Sequence, residues 1–235
     1  MKKLLTIFVV LVFSLPYMAI ADTITMQRVS NYYSGVGGEF TVVINNNNSD
    51  PDLNWVLSYY DTKTKGIGSY PNSFQTFCIE YTEHISIGTT YNFSISDRAI
   101  LGGVSSGGDP ISVGTAWLYY MFATGQLSGY DYIGSDRSAD AGALQATIWW
   151  LEGEASDPGS TNEFRSLVTA KFVNPMDDNN WQYPVAVLNL YTSTGGLAQD
   201  QLVLVPEPST LLLMGAGLIG IGVFGRKRFR RKEKI

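Results

Sequence analysis

The chain has 235 residues, of which 45% are hydrophobic and 16% are charged, so it can bury a substantial core and is not disordered along its length. Between Asp22 and Val205, seven basic residues stand against 19 acidic ones, a net charge of −12. This charge excludes a nucleic-acid partner, because proteins neutralise phosphates with Lys and Arg. A single Cys and a single His exclude an internal disulfide and a four-ligand Cys/His zinc site.

The first 21 residues have the layout of a secretory signal peptide. Lys2 and Lys3 precede an apolar run from Leu4 to Leu15, and the small-residue pattern of a cleavage site follows at 19–21. The apolar run is too short to cross a bilayer. We therefore expect export and removal of residues 1–21.

The exported segment, residues 22–205, is predicted to form one α+β domain whose first half is rich in strands. Residues 39–44 are rich in β-branched side chains, and 91–95 alternate aromatic or apolar with polar residues, so both are predicted strands. The Asn/Asp-rich stretch 45–52 is predicted to be a solvated loop, because its spacing lacks the glycine and terminal Glu of an EF-hand calcium site.

Beyond the glycine-rich stretch 102–110, the spacing of apolar residues changes from two toward 3.6 residues, which predicts helices. The first helix ends at Gly125. Its predicted buried stripe is Val113, Ala116, Trp117, Tyr120 and Met121.

Two further helices and a closing strand are predicted after Gly125. The second helix is predicted to be capped by Asp140 and to run from 141 to about 152. Its predicted inward stripe is Leu144, Ile148 and Leu151. The third is predicted from about 182 to 191, with Asn189 and Thr192 facing outward, and 202–205 is predicted to be the closing strand.

Two residues in this domain are chemically unexpected where they stand. Cys78 is an unpaired thiol in an exported protein, and Gln145 interrupts the apolar stripe of the second helix. A thiol can attack a carboxamide carbon and release ammonia, which leaves a thioester, if the two groups are held about 3–3.5 Å apart. The pair is therefore a candidate site for covalent chemistry.

The two segments resemble the thioester domains of bacterial surface adhesins, which pair a Cys after an aromatic residue with a helix of the form Thr-Gln-x-Ala-Ile-Trp. Phe77 and Cys78 match the first element, and Gln145, Ile148 and Trp149 match the second. Leu144 and Thr147 depart from the pattern. The resemblance implies a Cys78–Gln145 thioester, surrounded by Phe77, Ile148 and Trp149, that opens on a target amine. It implies attachment, and we expect no enzymatic turnover.

The residues alone leave two other interpretations of Cys78 open. A free Cys is often a small buried hydrophobic residue. An unpaired thiol in an exported protein can also form an intermolecular disulfide.

A secreted carboxylate hydrolase is a further alternative. Its candidate acids are Glu80, Glu83, Glu152 and Glu154, its candidate sugar-stacking rings are Trp117, Tyr119, Trp149 and Trp150, and its candidate base is His84. Acidic residues on a domain of charge −12 are more often simply solvated.

The C-terminal segment, residues 206–235, combines three features. Pro206, Glu207 and Pro208 precede an apolar stretch, and a helix over 208–225 would be about 27 Å long, enough to cross a bilayer. A basic tail follows and is expected to remain in the cytoplasm as a membrane stop. Its residues are Arg226, Lys227, Arg228, Arg230, Arg231, Lys232 and Lys234. A plain single-pass anchor and a glycine-mediated dimer face are the alternatives.

This segment closely resembles the PEP-CTERM sorting signal of Gram-negative bacteria, in which Pro-Glu-Pro is recognised by a membrane exosortase. The resemblance implies an inner-membrane anchored precursor that is processed and delivered to the cell surface or an exopolysaccharide matrix. The implied partners are the exosortase, the membrane, and a polysaccharide or protein amine target. A non-covalent structural or glycan-binding matrix protein is the second possibility. No cofactor or metal is expected.

Overall fold

The computed structural model describes residues 23–45, 53, 55–100 and 108–206. The predicted signal peptide, most of the predicted loop 45–52, and residues 207–235 with the predicted membrane helix and basic tail lie outside the described residues. Among the helices that are described, none is long and apolar enough to cross a membrane.

Ten strands are described. They are β1 (Thr23–Gln27), β2 (Tyr33–Ser34), β3 (Gly37–Gly38), β4 (Phe40–Asn45), β5 (Ser73–Thr76), β6 (Thr90–Ser96), β7 (Arg98–Ala99), β8 (Asp109–Pro110), β9 (Val185–Tyr191) and β10 (Leu197–Leu204). Six form an antiparallel sheet in the order β10-β9-β6-β1-β4-β5, while β2 pairs with β3 and β7 with β8. The strands predicted at 39–44 and 91–95 are confirmed as β4 and β6.

The two edges of the sheet meet just after β5. The carbonyl of Phe77 accepts a hydrogen bond from the Leu202 amide at 3.1 Å, and the Ile79 amide donates to the Asp200 carbonyl at 3.2 Å. The chain that continues β5 therefore pairs with β10, and the sheet closes on itself. Cys78 lies at this junction, directly opposite Gln201.

Three α-helices and a short 3₁₀ helix (Val56–Tyr59) pack around the sheet. The first helix, α1 (Val113–Ala123), begins at Ser112, whose hydroxyl caps the Thr115 amide. Its predicted stripe is partly wrong. Trp117, Tyr120 and Met121 are only half-buried, whereas Leu118, Tyr119 and Phe122 are fully buried, because the helix packs on more than one side.

The second helix, α2 (Arg137–Leu151), begins four residues before the predicted start, so the Asp140 cap is wrong. Asp140 lies in the first turn, and its carboxylate accepts from the Asp131 amide at 2.7 Å. The predicted inward stripe of Leu144, Ile148 and Leu151 is confirmed as buried.

The third predicted helix is wrong. Residues 185–191 form strand β9, because Val-Ala-Val-Leu-Asn-Leu-Tyr is buried on both faces between two strands and reads as a continuous apolar run. Asn189 is buried, and its amide donates to Asp200 at 2.8 Å. The third helix is α3 (Glu163–Lys171), whose N-cap is Asn162. The closing strand is confirmed and starts earlier, as β10.

One hydrophobic core joins the sheet to α1 and α2. Phe77 packs edge-to-face on Phe122 of α1 at 4.9 Å between ring centroids, and Leu144 and Ile148 of α2 are fully buried in the same cluster. The core therefore fixes α2 against the closure of the sheet, where Cys78 lies.

Candidate thioester site

The structure brings Cys78 and Gln145 into contact, although 67 residues separate them in sequence. The Cys78 thiol donates to Gln145 Oε1 with 3.3 Å between Sγ and Oε1, and Gln145 Nε2 donates to the Cys78 carbonyl at 2.8 Å. Both residues are completely buried. The two bonds hold the carboxamide in one orientation, with its carbonyl end against the sulfur.

The β2–β3 hairpin covers Gln145 from the other side. A Cβ atom added at Gly37 of β3 would lie 2.8 Å from Gln145 Cγ and 2.9 Å from Trp149 Cη2. Ser138 of α2 also donates to the Tyr33 carbonyl of β2 at 2.6 Å. Only a glycine backbone can approach the Gln145 side chain this closely.

The three residues expected around the thioester are all buried. Phe77 and Ile148 are fully buried, and Trp149 is 8% exposed. Gln145 and Trp149 lie four residues apart on α2, so their side chains share one face of the helix. The ring of Tyr81 packs edge-to-face on Trp149 at 4.9 Å. Apolar and aromatic groups thus contribute to the burial of the pair.

The thiol is held in its protonated form. Burial raises the pKa of Cys78 well above its usual range, while Trp149 and the positive charge of Arg28 lower it and the negative charge of Glu80 raises it further. A protonated thiol resists oxidation and disulfide exchange, because the thiolate is the reactive form. The site can therefore keep an unpaired Cys intact outside the cytoplasm.

Buried polar atoms without a hydrogen-bond partner concentrate around Cys78. The part of the chain that the structure describes has five such side-chain atoms: Arg28 Nε, Glu80 Oε1, Thr115 Oγ1, Trp149 Nε1 and Gln201 Oε1. Gln201 lies opposite Cys78 in the sheet. Three of the other residues, Arg28, Glu80 and Trp149, shift the pKa of the Cys78 thiol. Four of the five thus belong to residues that pair with Cys78 in the sheet or shift the pKa of its thiol. Each such atom costs stability, so their grouping marks this region as a candidate functional site.

Glu80 is the most perturbed of these groups after Cys78. Its Oε2 accepts from the Asp200 amide at 2.7 Å. Burial, and then the negative charge of Asp200, raise its pKa to about 8. Glu80 therefore carries a proton at neutral pH.

A cavity of about 400 Å³ opens beside the site. Trp149, Tyr81, His84 and Arg28 line it, and at its rim Val36 and Ile87 expose apolar side chains to solvent. Trp149 therefore stands between the cavity and the Cys78–Gln145 pair. Exposed apolar groups at a cavity rim are typical of a surface that meets a partner.

Of the acids named for a hydrolase, Glu83 and Glu154 raise the pKa of Glu80 through their negative charges, whereas Glu152 has a separate role. Glu152 accepts from the Ser112 hydroxyl at 2.8 Å and from its amide at 3.2 Å, so it stabilises the start of α1. Glu154 accepts from the Tyr81 amide at 3.1 Å. Each of these two acids thus has its own structural partner.

The predicted sugar-stacking rings are also dispersed. Tyr119 is buried and hydrogen-bonded to Tyr60 at 2.7 Å. Trp117 packs on Phe172 at 5.8 Å, and Trp150 lies under the guanidinium of Arg165 at 5.4 Å. Only Trp149 among the four lines the cavity beside the site. No group of three or more His, Cys, Asp and Glu side chains within the described residues is arranged to hold a metal ion.

Three contributors to the site were missed by the sequence analysis: Arg28, Gly37 and Gln201. Arg28 follows β1 and Gly37 belongs to a two-residue strand, so neither stands in a recognisable pattern near Cys78 or Gln145. Gln201 ends the polar run 199–201, just before the closing strand predicted at 202–205, so its sequence context gave no signal either.

Comparison with known protein families matches residues 204–231 to the PEP-CTERM protein-sorting motif. No curated protein and no solved structure matches the chain. The motif begins at Leu204, the last residue of β10, so the sorting signal starts where the described domain ends. The chain is an exported protein with a C-terminal sorting signal that an exosortase processes.

Proposed function

We propose that this exosortase-sorted protein attaches its exported domain covalently to a target amine through a thioester between Cys78 and Gln145. The observation that carries the proposal is the 3.3 Å contact of Sγ and Oε1 in a closed pocket whose neighbouring polar atoms lack partners. The resemblance to surface thioester domains supports the same chemistry.

The bond forms in one balanced step. Cys78 Sγ attacks Cδ of Gln145, the bond from Cδ to Nε2 breaks, and the thiol proton leaves with the nitrogen as ammonia. Two hydrogen bonds hold the carboxamide beside the sulfur, which limits the motion needed to bring Sγ to Cδ. Burial of both residues then protects the thioester from hydrolysis.

The bond opens on an amine. The amine nitrogen attacks Cδ, the bond from Cδ to Sγ breaks, and a proton of the amine passes to the sulfur. Gln145 is left as a substituted amide of the target, and Cys78 returns to a thiol. Because each molecule reacts once, the domain acts as a covalent anchor and is not an enzyme. The cavity beside Trp149 is the route for the amine, since it adjoins the otherwise closed pair.

Attachment at the cell surface or in the extracellular matrix fits the sorting motif at the C-terminal end of the chain. The sorting motif marks the protein for delivery outside the cytoplasm, where proteins and amino sugars offer free amines. A covalent bond would hold the protein at a surface after the exosortase has released it from its own membrane anchor.

Intact mass spectrometry of protein purified without reductant tests the proposal. Wild type should be lighter than its sequence by one ammonia and should gain one methylamine on incubation. Cys78→Ala should match its sequence mass and gain nothing. A wild type that matches its sequence mass and takes up no methylamine would exclude covalent attachment and favour a non-covalent structural or glycan-binding matrix protein.

A further inference from the structure

Trp181 is the most exposed of the five tryptophans. It exposes 44% of its surface, whereas the other four are buried or half-buried. Each of those four packs on an aromatic ring or against a guanidinium. Trp181 makes no such contact with a described residue, and its indole N–H donates to none of them. Both the face and the polar edge of this ring are therefore available to a ligand.

The backbone at Trp181 is unfavourable for a large side chain. Residues 179–182 form a tight turn, closed by a hydrogen bond from the Gln182 amide to the Asn179 carbonyl at 2.8 Å. Its central residues, Asn180 and Trp181, have φ angles of 46° and 61°. A turn with two positive φ angles favours Asn followed by Gly. Elsewhere in the described chain, positive φ occurs only at Gly and Asn, so Trp181 is the exception.

Neighbouring contacts hold the turn in this strained conformation. The Asn179 side chain accepts from the Tyr183 amide at 3.0 Å and donates to the Tyr183 carbonyl at 3.0 Å. The Asn179 amide donates to the carbonyl of Ile111, just before α1, at 2.9 Å. The fold thus fixes an exposed indole at a position where glycine would be less strained. Strain that the surrounding structure maintains in this way is concentrated at functional sites.

A cleft of about 90 Å³ lies beside Trp181, between the turn and the β7–β8 hairpin. Arg98 is paired with Asp97 at 2.9 Å, whereas the Asp178 carboxylate makes no hydrogen bond or ion pair with the described residues. The cleft shares no lining residue with the cavity beside Trp149. Its lining combines apolar Pro110 and Val185 with polar Asp97, Arg98, Asp178 and Asn180.

We propose that Trp181 and this cleft bind a neutral pyranose sugar of a polysaccharide. A pyranose with equatorial hydroxyl groups has a flat C–H face that packs on an indole, and its hydroxyl groups need polar partners. Asp178 supplies acceptors, and the Asn180 amide supplies a donor and an acceptor. Because the Asp178 carboxylate repels negative charge, the site favours a neutral sugar over a uronic acid.

The surroundings of Trp181 favour a sugar over a protein partner. A tryptophan that anchors a protein interface sits near its centre, in a fully desolvated pocket. The Trp181 ring instead stands half-exposed at the edge of a small cleft with charged and amide side chains. Sugar binding here is independent of the Cys78–Gln145 thioester.

Isothermal titration of the full-length protein with defined oligosaccharides tests the site. The detergent must lack a sugar headgroup, because such a headgroup would compete. The neutral probes are cellohexaose, N-acetylchitohexaose and mannohexaose, and the anionic comparison is a guluronate hexamer. Wild type should bind at least one neutral hexasaccharide, and it should bind the guluronate hexamer more weakly.

Trp181→Gly is the decisive variant. Glycine adopts a positive φ without strain, so the domain should keep its melting temperature, while loss of the ring should weaken sugar binding at least about tenfold. Asp178→Ala, at an exposed residue, should weaken binding about threefold to tenfold through lost hydrogen bonds. Tyr59→Ser is the matched control, because Tyr59 is 45% exposed and lies outside the cleft. It should bind as wild type does.

Three results would overturn the proposal. Wild type that binds none of the neutral hexasaccharides would do so, and so would equal affinity of Trp181→Gly and wild type. The third is self-association in sedimentation velocity that Trp181→Gly abolishes while no sugar binds, which would make the ring a protein contact. Cys78→Ala should bind sugar as wild type does, so this site and the thioester succeed or fail separately.

Discussion

Two buried polar clusters in this domain are built on opposite principles. In the first, which we call the Glu39 cluster, the Glu39 carboxylate accepts from Arg137 Nε at 2.7 Å, from Arg137 Nη2 at 2.8 Å and from the Tyr130 hydroxyl at 2.6 Å. Arg137 also donates to the carbonyls of Tyr132 and Lys63. Both side chains of the ion pair are almost fully buried, and their polar atoms have partners.

The second, the Cys78 cluster, comprises Cys78 and Gln145 with Arg28, Glu80, Trp149 and Gln201. It contains a well-oriented thiol and carboxamide among four polar atoms that have no partners. The same fold therefore supplies hydrogen-bond partners to a buried ion pair, although buried charges are the harder groups to accommodate. It leaves polar atoms of the Cys78 cluster without such partners. The contrast indicates that the first cluster stabilises the fold, and it supports the proposal that the second has a chemical role.

The largest effect is expected from a variant that disrupts the Glu39 cluster. Arg137→Met leaves the Glu39 carboxylate buried and unpaired, which should lower the free energy of unfolding by about 3–5 kcal/mol. Urea unfolding measures the change. The double variant Glu39→Gln with Arg137→Met should lose less than the sum of the two single variants. Additive losses would show that the pair does not act as a unit and would weaken the comparison.

Opening the thioester should also destabilise the domain strongly. A covalent bond between residues 67 apart restricts the unfolded chain, and a loop of this size is worth about 4 kcal/mol. Methylamine treatment of wild type should therefore lower its melting temperature in a thermal unfolding experiment. Cys78→Ala, which never forms the bond, is the control and should melt at the same temperature with and without methylamine.

A smaller effect is expected where the hairpin touches the site. Gly37→Ala places a Cβ within 3 Å of both Gln145 and Trp149, so the side chains must shift, at a cost of about 1–3 kcal/mol. The thioester fraction, read as the share of protein lighter by one ammonia, should fall. Gly196→Ala adds a Cβ against Thr192 only and should leave that fraction unchanged. Equal behaviour of the two variants would contradict the proposed close approach.

The last expected effect is a pH dependence. Because the pKa of Glu80 is raised to about 8 in the folded domain from an ordinary 4.5, the unfolded chain releases this proton at lower pH. The contribution of Glu80 to stability should therefore be fully present below about pH 4.5 and be lost as the pH rises through 8. Glu80→Gln should flatten this decline, measured as unfolding free energy against pH.

Two comparisons control the pH experiment. Burial raises the pKa of Glu152 to about 7, so a part of the decline should remain in Glu80→Gln. Asp136→Asn, at an exposed carboxylate, should leave the wild-type slope unchanged. A slope in Glu80→Gln that equals the wild-type slope would show that Glu80 is not held protonated.

The sequence predicted the elements with strong periodicity and the two residues of the candidate site. Strands β4 and β6 and helices α1 and α2 follow from local patterns, and Cys78 and Gln145 were found because each is out of place in its surroundings. Strand β9 was mistaken for a helix, since a strand buried on both faces has no period of two. Its neighbours β6 and β10 lie far away in sequence, so only the tertiary structure reveals them.

The rest of the site could not be predicted for the same reason. Arg28, Gly37 and Gln201 come near the Cys78–Gln145 pair only because the sheet closes on itself and the β2–β3 hairpin folds over α2. None of these contacts leaves a local trace around residue 28 or 37. The absence of partners for Trp149 Nε1 and Glu80 Oε1 is likewise a property of the packed structure.

Peptide mapping after methylamine treatment tests the central claim most directly. The protein, purified without reductant, would be incubated with methylamine, alkylated under native conditions, digested and sequenced by mass spectrometry. We predict a methylamide on Gln145 and an alkylated thiol on Cys78, both appearing in equal amounts and neither in Cys78→Ala. An unmodified Gln145, with Cys78 alkylated only after unfolding, would contradict the thioester and leave the thiol as a buried structural group.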